Sequence, residues 1–517
     1  MKKYFTAVTI LAFATVLMMS GSLLADETRE QFERSSREQA TVGLFKDKWD
    51  DFIDYSWFSG TLTNENYLWT NLSNLQSDNS GKSVNENFRD SGYEWSKDTK
   101  ENILGVPGWE SNDSFAFGYL GNPVGTEGWN MGFVYNYQTH DNNSTTESYN
   151  PVTFTTTTTD TSAEMVEHLW MLNGGMVLSD ELGIGFSWYH WNNDHERSSN
   201  SGSYMRNGSN WSNYDKSYEY NLEEQGDTLS FGAYYQMDDD LAVAGVLDID
   251  YNQTEITYGF SEVTTMHNYY DSTDIEGNDE AGYFKGNEDR DDFGFDLLLE
   301  AIKKWNGDFW ERTEFYLWVG WHPEDGEYWG SQEEIFGATR TVPWDVDGTL
   351  EWEELNWGFE GRSFINFGDR VHFAWALTFE MFNVEHNFDY DYVMNPGTAS
   401  SSETSYDNNL DYDAYYWSFP VALEVDFLKC LTGRVGARWT LSDYDGKDKT
   451  DSSYGGYPDA YPAETSWTDI STDSKTTSTV YSFGLGWRFN EYLQIDLTDF
   501  TDLTDMNEWQ LSLTLMW

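Results

Sequence analysis

Trp509-Gln-Leu-Ser-Leu-Thr-Leu-Met-Trp517 is the stretch whose reading decides the fold. In an extended chain Trp509, Leu511, Leu513, Leu515 and Trp517 fall on one side, and Gln510, Ser512 and Thr514 on the other. Strand side chains alternate with a period of two, so one face is wholly apolar and ends in aromatics. A sheet standing in water would rarely finish on such a face.

Working outward, the same alternation recurs. Tyr481, Phe483, Leu485, Trp487 and Phe489 share one side, as do Leu431, Val435, Ala437 and Trp439, and Leu241, Val243, Gly245, Leu247 and Ile249. Leu182, Ile184, Phe186 and Trp188 alternate with Gly183, Gly185, Ser187 and Tyr189. Tight turns separate these runs at Ser179-Asp180-Glu181, Asp238-Asp239-Asp240, Trp305 to Asp308, Asn366 to Asp369, Leu428-Lys429-Cys430 and Asn490-Glu491, most of them about 60 residues apart. Each interval holds two strands of about 9 to 14 residues and a polar loop of about 30, the proportions of a transmembrane barrel.

The terminal motif closely resembles the last strand of bacterial outer-membrane β-barrel proteins, which usually closes on an aromatic residue read by the insertion machinery. The resemblance implies an all-β transmembrane antiparallel up-and-down barrel in the outer membrane. Its partners would be lipid, lipopolysaccharide and the barrel-assembly machinery, and a homotrimer is one expected assembly. Counting back from the C-terminus gives about 16 strands, the first at Asp54 to Leu62 and the second near Ser114 to Leu120. If the first is not in the wall, 14 strands and a larger plug remain. Short turns then face the periplasm and long loops the exterior.

At the other end, Lys2 and Lys3, the apolar run Ala7 to Met19 and the small residues up to Ala25 read as a secretory signal over 1–25. Residues 26–52 lack the alternation, while Glu30, Glu33, Arg34, Arg37 and Glu38 suit a helix. This segment is expected to be a periplasmic helix, a tether or a plug, with the barrel occupying 53–517.

Aromatics make up 18% of the chain, yet mean hydropathy is −0.66, which fits a wall whose alternate residues alone meet lipid. A net charge of −61 repels nucleic acid and attracts cations. A single cysteine, Cys430, excludes an internal disulfide framework. Hydrolase elbow, His-Glu-x-x-His helix, P-loop and paired-cysteine motifs are all missing from the sequence, so no enzyme is expected. Asp345-Val-Asp347-Gly348 and Asp443-Tyr-Asp445-Gly446-Lys-Asp448 carry the alternating carboxylates of calcium loops but lack the twelfth-position Glu, so no cofactor is assigned and calcium stays an open alternative.

Alternation also assigns the inner face. Opposite the lipid-facing residues, Arg434, Arg438, Arg488, Arg312 and Arg362 point inward, with Asp248, Asp250, Asp296 and Glu300 as acidic counterparts. A charge facing lipid at mid-membrane costs roughly 2–4 kcal/mol, which enforces this parity. Such charges form either a satisfied ion-pair network or a constriction resembling the eyelet of bacterial porins. A barrel of this size is wide enough for an aqueous channel. The expected function is passive diffusion of small hydrophilic solutes with weak cation selectivity. The alternatives are a hydrophobic-substrate transporter with an N-terminal plug and a surface structural protein or adhesin presenting acidic loops.

Overall fold

The computed structural model describes residues 34–62, 65–72, 82–88, 95–101, 111–122, 128–150, 155–207, 210–267, 280–305, 307, 309–336, 341–394, 402–454, 464–490, 492–498 and 510–517. The signal segment 1–25 and Trp509 lie outside them.

Two short helices come first, α1 (Ser36–Ala40) and α2 (Lys48–Asp54), then a single 3-10 turn over Phe58–Thr61. The strands follow as β1 (Tyr67–Leu72), β2 (Lys82–Phe88), β3 (Trp95–Glu101), β4 (Ser111–Gly121), β5 (Trp129–Asn150) and β6 (Thr155–Ser179). Next are β7 (Leu182–Asn207), β8 (Asn210–Gln236), β9 (Leu241–His267), β10 (Glu280–Lys304), β11 (Trp310–Phe336) and β12 (Thr341–Asn366). The last six are β13 (Val371–Met394), β14 (Ser402–Leu428), β15 (Leu431–Tyr454), β16 (Glu464–Arg488), β17 (Leu493–Thr498) and β18 (Gln510–Met516). β1 and β4–β18 pair antiparallel with their neighbours in order, and β1 closes the ring by pairing with both β4 and β18, giving a 16-stranded barrel. β2 and β3 stand outside the wall, β3 pairing with the far half of β5.

Closure involves the terminal stretch directly. Leu511, Leu513 and Leu515 of β18 alternate with the buried Gln510 and Ser512, and Trp517 exchanges backbone hydrogen bonds with Asn66 at 3.1 Å both ways. The exterior is an apolar belt. Phe186, Phe231, Phe293, Phe315, Trp357, Leu377, Phe419, Phe483 and Trp487 are all exposed on it, an arrangement that water would not tolerate and lipid requires. Every strand backbone in the belt is paired around the ring, so no edge meets hydrocarbon. The molecule is a transmembrane barrel of the outer-membrane type.

Two expectations are corrected here. Asp54 to Leu62 is not the first strand: it is the end of α2 and the 3-10 turn, and the first wall strand is Tyr67–Leu72, inside a stretch read as loop. Trp57, Phe58 and Leu62 gave that stretch an apolar look, but they are buried inside the barrel rather than facing lipid. The long loops are also largely strand. β5 to β16 run 22 to 27 residues, more than twice what a bilayer needs, because the Thr-, Ser-, Tyr- and Asn-rich segments beyond the belt stay in register. Asp345, Asp347 and Gly348 therefore lie in β12, and Asp443, Asp445, Gly446 and Asp448 in β15, extended rather than coiled as a calcium loop must be.

Candidate functional site

The inner surface is occupied by the N-terminal segment. Asp47 caps α2 by accepting from Trp49 N at 2.8 Å, while Asp50 accepts from Asp47 N at 2.9 Å, a reciprocal capping box that fixes a seven-residue helix. Asp50 also takes hydrogen bonds from Ser35 N (2.8 Å) and Ser35 Oγ (2.6 Å), tying the start of α1 to α2. Such short helices would not persist alone in water; their contacts with the wall hold them.

Those contacts differ around the ring. From α2 to the 3-10 turn, Trp49, Phe52, Ile53, Tyr55, Trp57 and Phe58 form one buried cluster with wall side chains such as Trp69, Leu120, Val134, Leu169, Met171, Tyr189 and Val246. Trp49 stacks on Trp69 with centroids 3.9 Å apart, and Trp57 stacks on Tyr234 at 5.0 Å. A second cluster joins Leu44 and Phe45 to Phe364, Ala374, Ala376 and Ala422. α1 packs against β15 to β18. Taken together, the clusters and α1 engage all sixteen wall strands, so residues 34–62 are packed inside the barrel, in the position of a plug.

Wall glycines make this docking possible. A Cβ on Gly118 would strike the Trp49 ring, one on Gly132 the Phe52 ring, and one on Gly185 the Ser56 carbonyl oxygen. Plug carbonyls that lose water are met by wall side chains. Tyr189 donates to Ile53 O (2.8 Å), Asn130 to Ser59 O (2.7 Å) and Leu62 O (2.9 Å), and Gln510 to Arg34 O (2.8 Å).

The arginines expected at a constriction face inward, as alternation required, but most of them grip the plug or pair locally. Arg434 is buried between Glu424 (2.8 Å) and Asp496, and Glu424 is also held by Arg37 of α1 at 2.7 Å. Arg438 donates to Val42 O at 2.6 Å. Arg362 pairs with Glu360 and lies 4.8 Å over the Tyr316 ring. Arg312 bonds Glu311 and Glu314 at 2.6 Å each and covers Phe364. Arg488 is exposed and donates to Gln494 Oε1 at 3.2 Å. Asp248, Asp250, Asp296 and Glu300 are buried together on β9 and β10. A cavity of about 490 Å³ lies near the Lys429-Cys430 turn, lined by Arg37, Lys46, Arg312, Lys429, Arg434 and Arg488 among others, a basic vestibule in an acidic protein.

The plug carries its own buried charges. Burial pushes the carboxyls of Asp50 and Asp51 up to about 7 and that of Asp47 to about 6. Burial also acts to raise Asp54, but Arg34 and Lys46, both paired with it, hold it well below the usual carboxylate range. Several polar atoms at the plug–wall contact have no hydrogen-bond partner: Trp57 Nε1, Ser56 Oγ, Ser59 Oγ, Trp69 Nε1 and Trp191 Nε1.

Alternation alone does not reveal the plug's grip. Its signal in the sequence is Gly183 and Gly185, which alternation puts on the inner face, where small residues mark a close approach rather than an open lumen.

No family model and no curated protein matches the chain. Among solved structures it is similar to the toluene transporter TbuX of Ralstonia pickettii, at 10% identity and a TM-score of 0.32, covering 94% of this chain and 98% of that one. It is similar to a FadL homologue of Pseudomonas aeruginosa at 8% identity and a TM-score of 0.26, covering 96% and 99%. It is also similar to the siderophore receptor PiuA of Acinetobacter baumannii at 8% identity and a TM-score of 0.29, covering 87% and 82%.

Proposed function

We propose that the protein is a plug-gated outer-membrane transporter for small hydrophobic substrates. The observation that carries this reading is the apolar cluster that plug and wall form inside the barrel. Passive diffusion of hydrophilic solutes, the expectation from the strand count, needs a continuous hydrated path, and Trp49, Phe52, Ile53 and Trp57 stand across it. When the plug shifts, the space it leaves is lined by aromatic and aliphatic side chains, which favour a hydrophobic solute over a sugar or an ion.

A permanently sealed barrel, serving only to present its surface, is the competing reading. Polar atoms that the plug–wall contact leaves without a protein partner are compatible with a contact that opens and rehydrates. The test is uptake by Gram-negative cells expressing the protein, comparing a radiolabelled small aromatic hydrocarbon with a radiolabelled sugar. Faster hydrocarbon uptake with unchanged sugar uptake is expected. Faster sugar uptake would restore the diffusion reading, and no change in either would favour the sealed barrel.

A further inference from the structure

Just past the apolar cluster, on the side away from the short turns, three strands bring unlike groups together. Asp250 of β9, Asp296 of β10 and His322 of β11 each offer a ligand atom, and these atoms lie within 4.8 Å of one another. Asp250 is 2% exposed and Asp296 8%. Asp250 Oδ1 is held by the Thr228 hydroxyl, while its Oδ2 is buried and, apart from the facing Asp296 carboxyl, meets no hydrogen-bonding group. His322 Nε2 is likewise buried without a partner.

The ring is aimed there by construction. His322 Nδ1 lies 3.2 Å from Asp292 Oδ2, which Asn252 also contacts at 3.0 Å. A carboxylate on one imidazole nitrogen fixes the tautomer that offers the other to a metal, the usual outer support of a histidine ligand. The imidazole lies across β10 over Gly294, where a Cβ would come within 2.5–2.7 Å of three ring atoms. Gly294 pairs with Asp250 in register, so the missing side chain opens the route from β11 to the β9 carboxylate. Two buried carboxylates this close cannot both stay ionised unless a cation lies between them; without one they share a proton.

We propose that Asp250, Asp296 and His322 bind a divalent first-row transition-metal ion such as Zn²⁺ or Mn²⁺. One imidazole and two carboxylates suit that class, and the two carboxylates neutralise the ion. Bonds of about 2.0–2.2 Å require the ligand atoms to close in by roughly an ångström, within reach of side-chain rotation. Three protein ligands leave coordination positions open toward the lumen for water or a substrate donor atom. This site stands independently of the transport reading.

The test uses the full-length protein in detergent, stripped with chelator and titrated with Zn²⁺ by calorimetry, and with Cu²⁺ followed by electron paramagnetic resonance. The wild type should bind one Zn²⁺ tightly above the weak background of so acidic a chain, and the Cu²⁺ signal should show coupling to one imidazole nitrogen. His322→Ala and Asp250→Asn should each lose at least 100-fold in affinity, and His322→Ala the nitrogen coupling. Gly294→Val should displace the ring and have the same effect while leaving all three ligands in place. Heat-modifiable migration confirms that each variant is folded. Wild-type binding no stronger than that of folded His322→Ala, or copper coupling that survives that change, would overturn the proposal.

Discussion

The arc of wall from β4 to β9 and the arc from β12 to β17 hold the same plug by different physics. The first presents glycines, aromatics and neutral hydrogen-bond donors to Trp49, Phe52, Ser56 and Trp57. The second adds to its small apolar patch a run of buried charges, Arg37–Glu424–Arg434–Asp496, and the Arg438–Val42 hydrogen bond. Shape alone holds the first side; on the second, where Gly436 and Gly484 also admit Ala40 and Thr41, charge is added to shape. Shape complementarity fails all at once when volume is added, whereas charges can be titrated or removed singly. The comparison casts the glycine arc as the seat of the plug and the charged arc as its latch.

The largest effect should come from filling the seat. Gly185→Val places a side chain against the Ser56 carbonyl and the Trp57 Cα, backbone atoms that cannot move aside without the whole turn moving. The wall itself should still form, because Val suits a strand. In planar bilayers this variant should conduct steadily where the wild type is nearly silent. A silent Gly185→Val barrel, shown to be folded, would remove the distinction between seat and latch.

Next in size is Arg434→Leu. It leaves Asp496 and one side of Glu424 buried without their cation, a loss of about 3–5 kcal/mol for a buried pair. Arg37 still holds Glu424, so the plug should loosen rather than leave, giving intermittent openings and a lower Tm. Steady conductance equal to that of Gly185→Val would mean that the two arcs are not separable.

What can be read in the sequence follows the same division. Lipid enforces strict alternation, so the belt, the inward parity of Arg434 and Asp250 and the closing strand at Leu511 to Leu515 are legible. Polarity, by contrast, only says that a segment has left lipid. It does not say that Thr155 to Thr161 has ceased to be strand, and so the long wall extensions read as loops. The plug obeys neither rule. Its helices are too short for a periodic signal, and its aromatic end at Trp57-Phe58 imitates a strand. The meeting of Asp250, Asp296 and His322 depends on register across three strands, to which no single stretch of sequence gives access.

A third prediction concerns pH, which modulates the hold on the plug without removing a side chain. Glu38, Asp47, Asp50 and Asp51 have carboxyls raised mainly by burial, so the docked plug binds more protons than the released one between about pH 4 and pH 8. Docking is therefore strongest below that window and weakens as pH rises through it. Asp54, held low by Arg34 and Lys46, acts the other way only below its ordinary range near pH 4. Each proton taken up on docking changes the docking equilibrium about tenfold for every pH unit crossed inside the window. Opening events of Arg434→Leu should accordingly be at least tenfold more frequent at pH 8 than at pH 5, and Asp50→Asn should flatten the dependence. More frequent opening at pH 5 would reverse the sign assigned to these carboxyls.

The smallest effect should come from Lys48, and it sharpens the comparison because Lys48 also carries a charge pair. Its ammonium contacts Glu65 and the Tyr67 hydroxyl and lies 5.0 Å from the Tyr67 ring centroid, so on contacts alone it resembles a latch. The difference is burial. The side chains of Lys48 and Glu65 are 48% and 45% exposed, against 5% for each of Arg434 and Glu424. An exposed pair is screened by salt and solvated when broken, and is worth about 0.2–1 kcal/mol. The buried pair has no such refuge. Lys48→Ala should therefore leave conductance silent and shift Tm by no more than a degree or two, an effect that 1 M salt should erase. If Lys48→Ala instead opens the barrel as Arg434→Leu does, the hold on the plug depends on where the charges sit along the chain rather than on how deeply they are buried.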